Sequence, residues 1–212
     1  MTPRVIILGA GGHAKVLVDA LLKSALTVVE GLTDSNPAKW GERLLGKPIL
    51  GDDTILEKYD PGSVQLVNGL GGIGPCGKRR EIFETYSALG YSFLRVIHPS
   101  AVIGSEVILD EGVQVMAGAI IQPGCHVHRN AIVNTRASVD HDCTIGAHAH
   151  LAPGVTLSGG VMVKEGSHIG TGATVIQGIC LGSNSRVAAG AVVVRDVADG
   201  EKVAGVPARK TE

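Results

Sequence analysis

Large rings are almost missing from this chain. Its 212 residues include two Phe, three Tyr and one Trp, so the core has to be built from small aliphatic side chains. Net charge is nearly missing too, with Lys and Arg numbering 19 and Asp and Glu 20. Binding along a nucleic-acid backbone needs a clustered basic face, and this balance argues against nucleic acid as the main partner. No apolar run approaches the roughly 20 residues of a membrane-spanning helix. The first residues also lack the basic, apolar and small-residue succession of a secretory signal, so the expected location is the cytoplasm. The four cysteines, Cys76, Cys125, Cys143 and Cys180, form no C-x-x-C pair. They are expected to be reduced packing residues and not a zinc knuckle or redox motif.

Glycine, by contrast, is abundant, with 30 residues. The first cluster is "GAGGHAK", Gly9 to Lys15, directly after the apolar run Val5 to Leu8. A glycine-rich turn between a buried strand and a helix cradles phosphate through its backbone N–H groups. The dinucleotide fingerprint G-x-G-x-x-G is only partly met, because Ala14 takes the third glycine position and His13 stands inside the turn. Ala14 to Leu22 then reads as an amphipathic helix, with further strands ending near Leu32 to Asp34 and spanning Val64 to Val67. A second helix over Lys78 to Leu89 and a short strand over Phe93 to Ile97 complete a βαβ-type pattern. Residues 1–97 are therefore expected to form a Rossmann-like, doubly wound parallel sheet.

From His98 the period changes to six. Every sixth residue from Ile103 to Val193 is aliphatic without a failure. Three residues after each comes a corner position, occupied by Gly or Asn in most sides, the types that tolerate a left-handed backbone. One six-residue side cannot bury its aliphatic residue alone. Three sides make a triangular coil, and stacked coils bury a continuous ladder. Residues 98–212 are thus expected to form a parallel β-helix of about five coils, with residues eighteen apart stacked about 4.8 Å from one another.

The corner rule fails at three consecutive sides, where Arg136, Asp142 and His148 replace glycine. Local failures of a sequence rule concentrate at functional sites. Inside this window lies Val139-Asp140-His141-Asp142. A neutral imidazole is the natural base near pH 7, and an adjacent carboxylate fixes its tautomer. His141 and Asp142 are accordingly the expected base and orienter.

The hexapeptide repeat resembles that of the left-handed β-helix acyltransferases. With "HPSAVIG" (His98 to Gly104), "VDHD" (Val139 to Asp142) and "VAGVPARK" (Val203 to Lys210), the chain is most similar to bacterial nucleotide-sugar N-acetyltransferases of the bacillosamine and perosamine type. Sialic acid O-acetyltransferases are near neighbours. The resemblance implies acetyl transfer from acetyl-CoA to the amine of a nucleotide-linked amino sugar, of the UDP-4-amino-4,6-dideoxy-GlcNAc type, with no metal. It implies His141 as general base, Asn134 holding the base or the sugar, and the Gly159 backbone N–H facing the thioester carbonyl. His150, Thr171, Ala188 and Ala189 are implied contacts of acetyl-CoA, and Ala189 stands where some relatives have glycine. The tail residues Pro207, Ala208 and Arg209 are expected to lie along the last coils toward the coenzyme, and the assembly is expected to be a homotrimer.

The glycine loop is then expected to hold the pyrophosphate of the substrate. Gly11, Gly12, His13 and Lys15 come from that loop, Asp34 from the end of the second strand, and Gly72 and Ile73 from "NGLGGIG". Arg79 or Arg80 is expected to approach the phosphates. Three other readings stay open: an O-acetyltransferase, a zinc hydratase using His141, His148 and His150, and a non-enzymatic repeat scaffold or binding module.

Overall fold

The computed structural model describes residues 2–72 and 77–211. Strand β1 (Arg4–Leu8), helix α1 (Gly12–Ser24), strand β2 (Val28–Thr33), hairpin strands β3 (Arg43–Leu44) and β4 (Lys47–Gly51), strand β5 (Gln65–Asn68) and helix α2 (Gly77–Ala88) make the first half. The sheet order is β3-β4-β2-β1-β5, parallel except for β3 at its edge. Strand β1, between β2 and β5, is fully buried from Val5 to Leu8, as a parallel strand covered on both faces must be. Val5 and Ile7 pack with Ala14 and Leu17 of α1, while Ile6 and Leu8 pack with Ile82 and Phe83 of α2. The β3–β4 hairpin adds to the expected sheet; Gly46, Pro48 and Gly51 interrupt its apolar pattern, so periodicity does not mark it.

The expected strand Phe93 to Ile97 is divided between two sheets. Phe93 bridges to Leu66 of β5, whereas strand β6 (Val96–Ile97) pairs with Gln114–Val115 of the second half. From there the chain lays down two-residue strands in three parallel stacks. The first face runs from Val96–Ile97 through His150–Leu151 to Lys202–Ala204, the second from Val102–Ile103 through Ser138–Val139 to Val192–Val193, and the third from Ile108–Leu109 to Cys180–Leu181. Registers such as Ile121↔Val139 and Val127↔Ile145 keep the eighteen-residue step. Each sixth aliphatic residue from Val115 to Val193 is buried, with Ile103 and Leu109 packed against the open end. No Phe, Tyr or Trp occurs after Phe93, and the triangular interior is filled by aliphatic and other small side chains. Cys125 and Cys143 point inward, their thiols bonded to the carbonyls of Asp140 and Ser158. Among the described residues no helix is long and apolar enough to cross a membrane.

The corners are left-handed as expected, and Arg136, Asp142 and His148 hold that conformation with φ of 56°, 57° and 60°. Each non-glycine residue there costs about 1–2 kcal/mol. The three lie on three different edges of the triangle, one per side of a single coil, so they do not converge on one another.

Helix α2 clamps the two halves together at the edge between the third and first faces. Arg79, expected near the phosphates, is instead 2% exposed. Its guanidinium donates to the Asn130 carbonyl, to Asn130 Oδ1 at 3.0 Å and to the His148 carbonyl at 2.6 Å. Glu84 accepts from His148 Nε2 at 3.1 Å and pairs with Arg129, Arg80 pairs with Glu165, and Phe83 packs on Phe93 and on the His148 ring.

Coils approach closely where a glycine faces the next turn of backbone. A Cβ on Gly146 would lie 2.6 Å from the Glu165 nitrogen, and neither backbone can yield without parting the coils. Gly146→Ala is expected to lower stability by about 1–3 kcal/mol in urea unfolding, the usual cost of overpacking.

Candidate active site

Two cavities flank the loop after β1, one within the first half and one between the halves. The first, about 660 Å³, lies at the carboxyl ends of β1 and β5, where the strand order reverses and open α/β sheets take ligands. Gly9 to His13, Asp34, Asp53, Gly69 to Gly71 and Lys78 line it. A Cβ on Gly11 or Gly12 would meet nothing within 4 Å, so the chain's own packing does not require glycine there, and the N-terminus of α1 stands open to an anion. Lys15 lies exposed on α1 and lines neither cavity; Lys78, which sequence reasoning passed over, is the cation on this wall. Asp34 accepts from the Asn36 N–H and pairs with Lys39 at 2.8 Å. Ile73 lies outside the described residues.

His13 separates the two cavities. Its Nε2 is 2.7 Å from Gln114 Oε1, and Gln114 Nε2 donates to the Asn68 carbonyl. That fixes the amide oxygen as acceptor, so the neutral ring carries its proton on Nε2 and leaves Nδ1 bare. Burial pushes its pKa below the usual range. His13, expected in the pyrophosphate loop, therefore has its N–H committed to Gln114 and, among the described residues, keeps Nδ1 as an acceptor.

The second cavity is a groove of about 810 Å³ along the edge between the first and second faces. Asn134, His150, Thr171, Ala188 and Ala189 line it, with Gly72 contributed by the first half. Asn134 Oδ1 accepts the Thr135 N–H, so its Nδ2 donates to His150 Nε2 at 3.1 Å. His150 Nδ1 in turn reaches the Gly72 carbonyl at 2.9 Å. Asn134 thus supports His150 and is not paired with His141. At the far end stand Arg186 and Lys202, which continue the outward row His150, His168, Arg186 and Lys202 on the first face. For Arg186, eighteen residues after His168, that spacing was the available signal; Lys202 follows Arg186 by sixteen residues and falls outside it. His168 Nδ1 is buried without a hydrogen-bond partner among the described residues. Of the tail, Ala208 is buried in the helix core, Pro207 is exposed, and Arg209 pairs back onto Ala204; none lines the groove.

His141 and Asp142 lie on a different edge, between the second and third faces. His141 Nδ1 is 2.8 Å from Asp142 Oδ2, and this hydrogen bond, aided by Asp140, raises the imidazole pKa. With the proton held on Nδ1, Nε2 is the free base. The ring lies against Gly159 one coil on: a Cβ there would sit 2.6 Å from His141 Nε2. The Gly159 N–H makes no backbone hydrogen bond among the described residues. Asp142 covers Gly124 one coil earlier in the same way.

The histidine set of the hydratase reading does not hold together. Both ring nitrogens of His150 are used by Gly72 and Asn134, and both of His148 by Asn130 and Glu84. Neither keeps a lone pair for zinc. Cys143 offers no nucleophile, since burial pushes its thiol up to about 12.

Residues 4–86 match the PglD N-terminal domain family. Over the whole length the chain is similar to PerB from Caulobacter crescentus in complex with CoA and GDP-perosamine, at 40% identity, covering 100% of this chain and 99% of that one with a TM-score of 0.90. The acetyltransferase domain of PglB from Neisseria gonorrhoeae in complex with acetyl coenzyme A is 34% identical, covered 100% in both directions, with a TM-score of 0.91. The chain belongs to the hexapeptide-repeat nucleotide-sugar acetyltransferase family. It is an acetyltransferase, and its coiled half is the left-handed β-helix of that family. Within this family frame the three edges have separate occupants: α2 on one, the groove on the next, the histidine pair on the last.

Burial holds His150 down to about 3 and His148 down to about 4, against an ordinary 6.5. Below 6.5 the unfolded chain binds protons that the folded chain does not, so stability is lost as pH falls from there toward 4. Urea midpoints are expected to drop across this window, with a shallower slope in His150→Gln. In imidazole NMR, His141 should titrate above the ordinary value and return toward it in Asp142→Asn.

Proposed function

We propose that the protein N-acetylates a nucleotide-linked amino-deoxy sugar with acetyl-CoA, using His141 as general base. The observation that carries this reading is the His141–Asp142 pair, whose Nε2 lies against Gly159 beside a backbone N–H that makes no backbone hydrogen bond among the described residues. As the sugar amine attacks the thioester carbonyl, His141 Nε2 takes the amine proton and the Gly159 N–H receives the developing oxyanion. Collapse breaks the carbon–sulfur bond, and the imidazolium returns its proton to the departing CoA thiolate. The crevice at β1 and β5 takes the pyrophosphate on the N-terminus of α1. The groove takes the pantetheine arm, with Arg186 and Lys202 toward the coenzyme phosphates.

The base and the groove occupy opposite edges of the second face, so one chain does not close the site. That face presents Val102, Ile120, Ser138, Thr156, Thr174 and Val192 outward, with no charge among them. A homotrimer whose second faces turn inward sets the histidine edge of one copy against the groove of the next. The UDP-4-amino-4,6-dideoxy-GlcNAc type is one candidate acceptor; the GDP-perosamine complex among the relatives makes a GDP-linked 4-amino sugar the other.

Thiol release from acetyl-CoA should be measured with UDP- and GDP-linked amino sugars and with a sialic acid. Release with an amino sugar supports the proposal, and release with the sialic acid alone overturns it. His141→Ala is expected to lower kcat by roughly 10²–10⁴-fold with the sugar KM little changed, whereas His13→Ala should chiefly raise that KM.

Light scattering should give three chains per particle. Mixing inactive His141→Ala with inactive Ala188→Trp should restore activity, because some sites in mixed trimers combine an intact histidine edge with an intact groove. Absence of recovery in verified mixed trimers would exclude the shared site.

A further inference from the structure

One cluster of metal-ligating side chains was not anticipated from sequence and lies apart from both cavities: Asp110, His126 and His128. Asp110 follows strand Ile108–Leu109 on the third face, and His126 and His128 flank Val127 one coil later, in register with it. His126 Nε2 lies 2.9 Å from Asp110 Oδ1, and His128 Nδ1 lies 3.1 Å from Oδ2. The rings stack with centroids 3.8 Å apart, which turns both nitrogens onto one carboxylate. All three ligand atoms fall within 4.8 Å of one another, and each residue is half-buried, leaving one side open to water.

We propose that Asp110, His126 and His128 bind a divalent transition metal of the Zn²⁺ class and thereby tie two successive coils together. Two imidazoles and one carboxylate suit zinc, nickel or copper and not magnesium or calcium, which prefer oxygen alone. Three protein ligands leave a fourth position for water. On binding, the ring proton that each histidine shares with Asp110 moves to its other ring nitrogen and the freed lone pair takes the metal, so each imidazole binds as a neutral ligand with no net loss of its proton. The nitrogen–oxygen gaps need open only to roughly 3.3 Å, the span set by metal–ligand bonds of about 2.0–2.2 Å at tetrahedral angles.

The site braces a particular segment. On one side of Asp110, Leu109 accepts Arg95 through its carbonyl at 3.0 Å; on the other, Glu111 accepts the Phe93 N–H at 2.6 Å. The stretch connecting the two halves is thus fastened to the residues flanking the proposed ligand. None of the three ligands lines the crevice or the groove, so the role is structural.

The test uses the full chain, freed of metal and of any histidine tag, titrated with ZnCl₂ by calorimetry and melted with and without zinc. One zinc per chain and a raised unfolding midpoint are expected. Asp110→Ala and His126→Gln should weaken binding by more than the roughly ten- to hundredfold that loss of an outer-shell partner costs and abolish the thermal shift, with acetyl transfer unchanged. Cobalt should give the d–d absorption of a low-symmetry nitrogen–oxygen site in the wild type only. If Asp110→Ala unfolds by circular dichroism, Asp110→Asn keeps the shape and must still weaken zinc. Equal zinc affinity in the folded variants, an equal response to magnesium, or no wild-type binding at micromolar zinc would each overturn the proposal.

Discussion

Everything on the outside of the β-helix is placed by what its inside can hold. The interior of a three-sided coil takes two small or aliphatic residues per side and no ring, so each side must return its larger aliphatic residue every six positions. A single slipped residue would turn an entire face outward, which makes the register rigid. The rigidity is useful because residues eighteen apart form straight outward rows. The row His150, His168 and Arg186 is one product of it, extended by Lys202 at a sixteen-residue step; the seating of His141 against Gly159 is another.

The same regularity explains why the functional groups are spread over three edges. A coil has no concave surface of its own, so a pocket needs something else laid against it. On one edge the loop of β1 and the segment after β5 supply the opposing wall of the groove. On the next, α2 is fastened through Arg79 and leaves no room for a ligand. The edge carrying His141 faces only solvent within one chain, which is why its chemistry calls for a neighbouring copy.

Backbone conformation also separates essential from replaceable positions. Most corners use glycine, for which the left-handed conformation is free of strain. Arg136, Asp142 and His148 carry that strain, and two of them have a visible return: Asp142 orients His141, and His148 hydrogen-bonds Glu84 beneath α2. Nothing in the structure explains Arg136, which is exposed.

Much of the fold was legible because it is written in a period. The six-residue spacing announces the coil, and the run Val5 to Leu8 followed by glycines announces the first βα unit. His141 and Asp142 were legible because they are adjacent and break the corner rule. The β3–β4 hairpin, with glycine and proline through its strands, carried no such signal. By itself the sequence determined the coil, its inward ladder, its corners and the His141–Asp142 pair, since each rests on contacts at fixed short spacing. Only the tertiary structure decided that Arg79 is a clamp, that Asn134 serves His150, that Lys78 and not Lys15 faces the crevice, and that Asp110 meets His126 and His128. Those depend on how α2 docks, on which face of a helix is outward, and on which coils lie side by side, distances that the local pattern of residues does not contain.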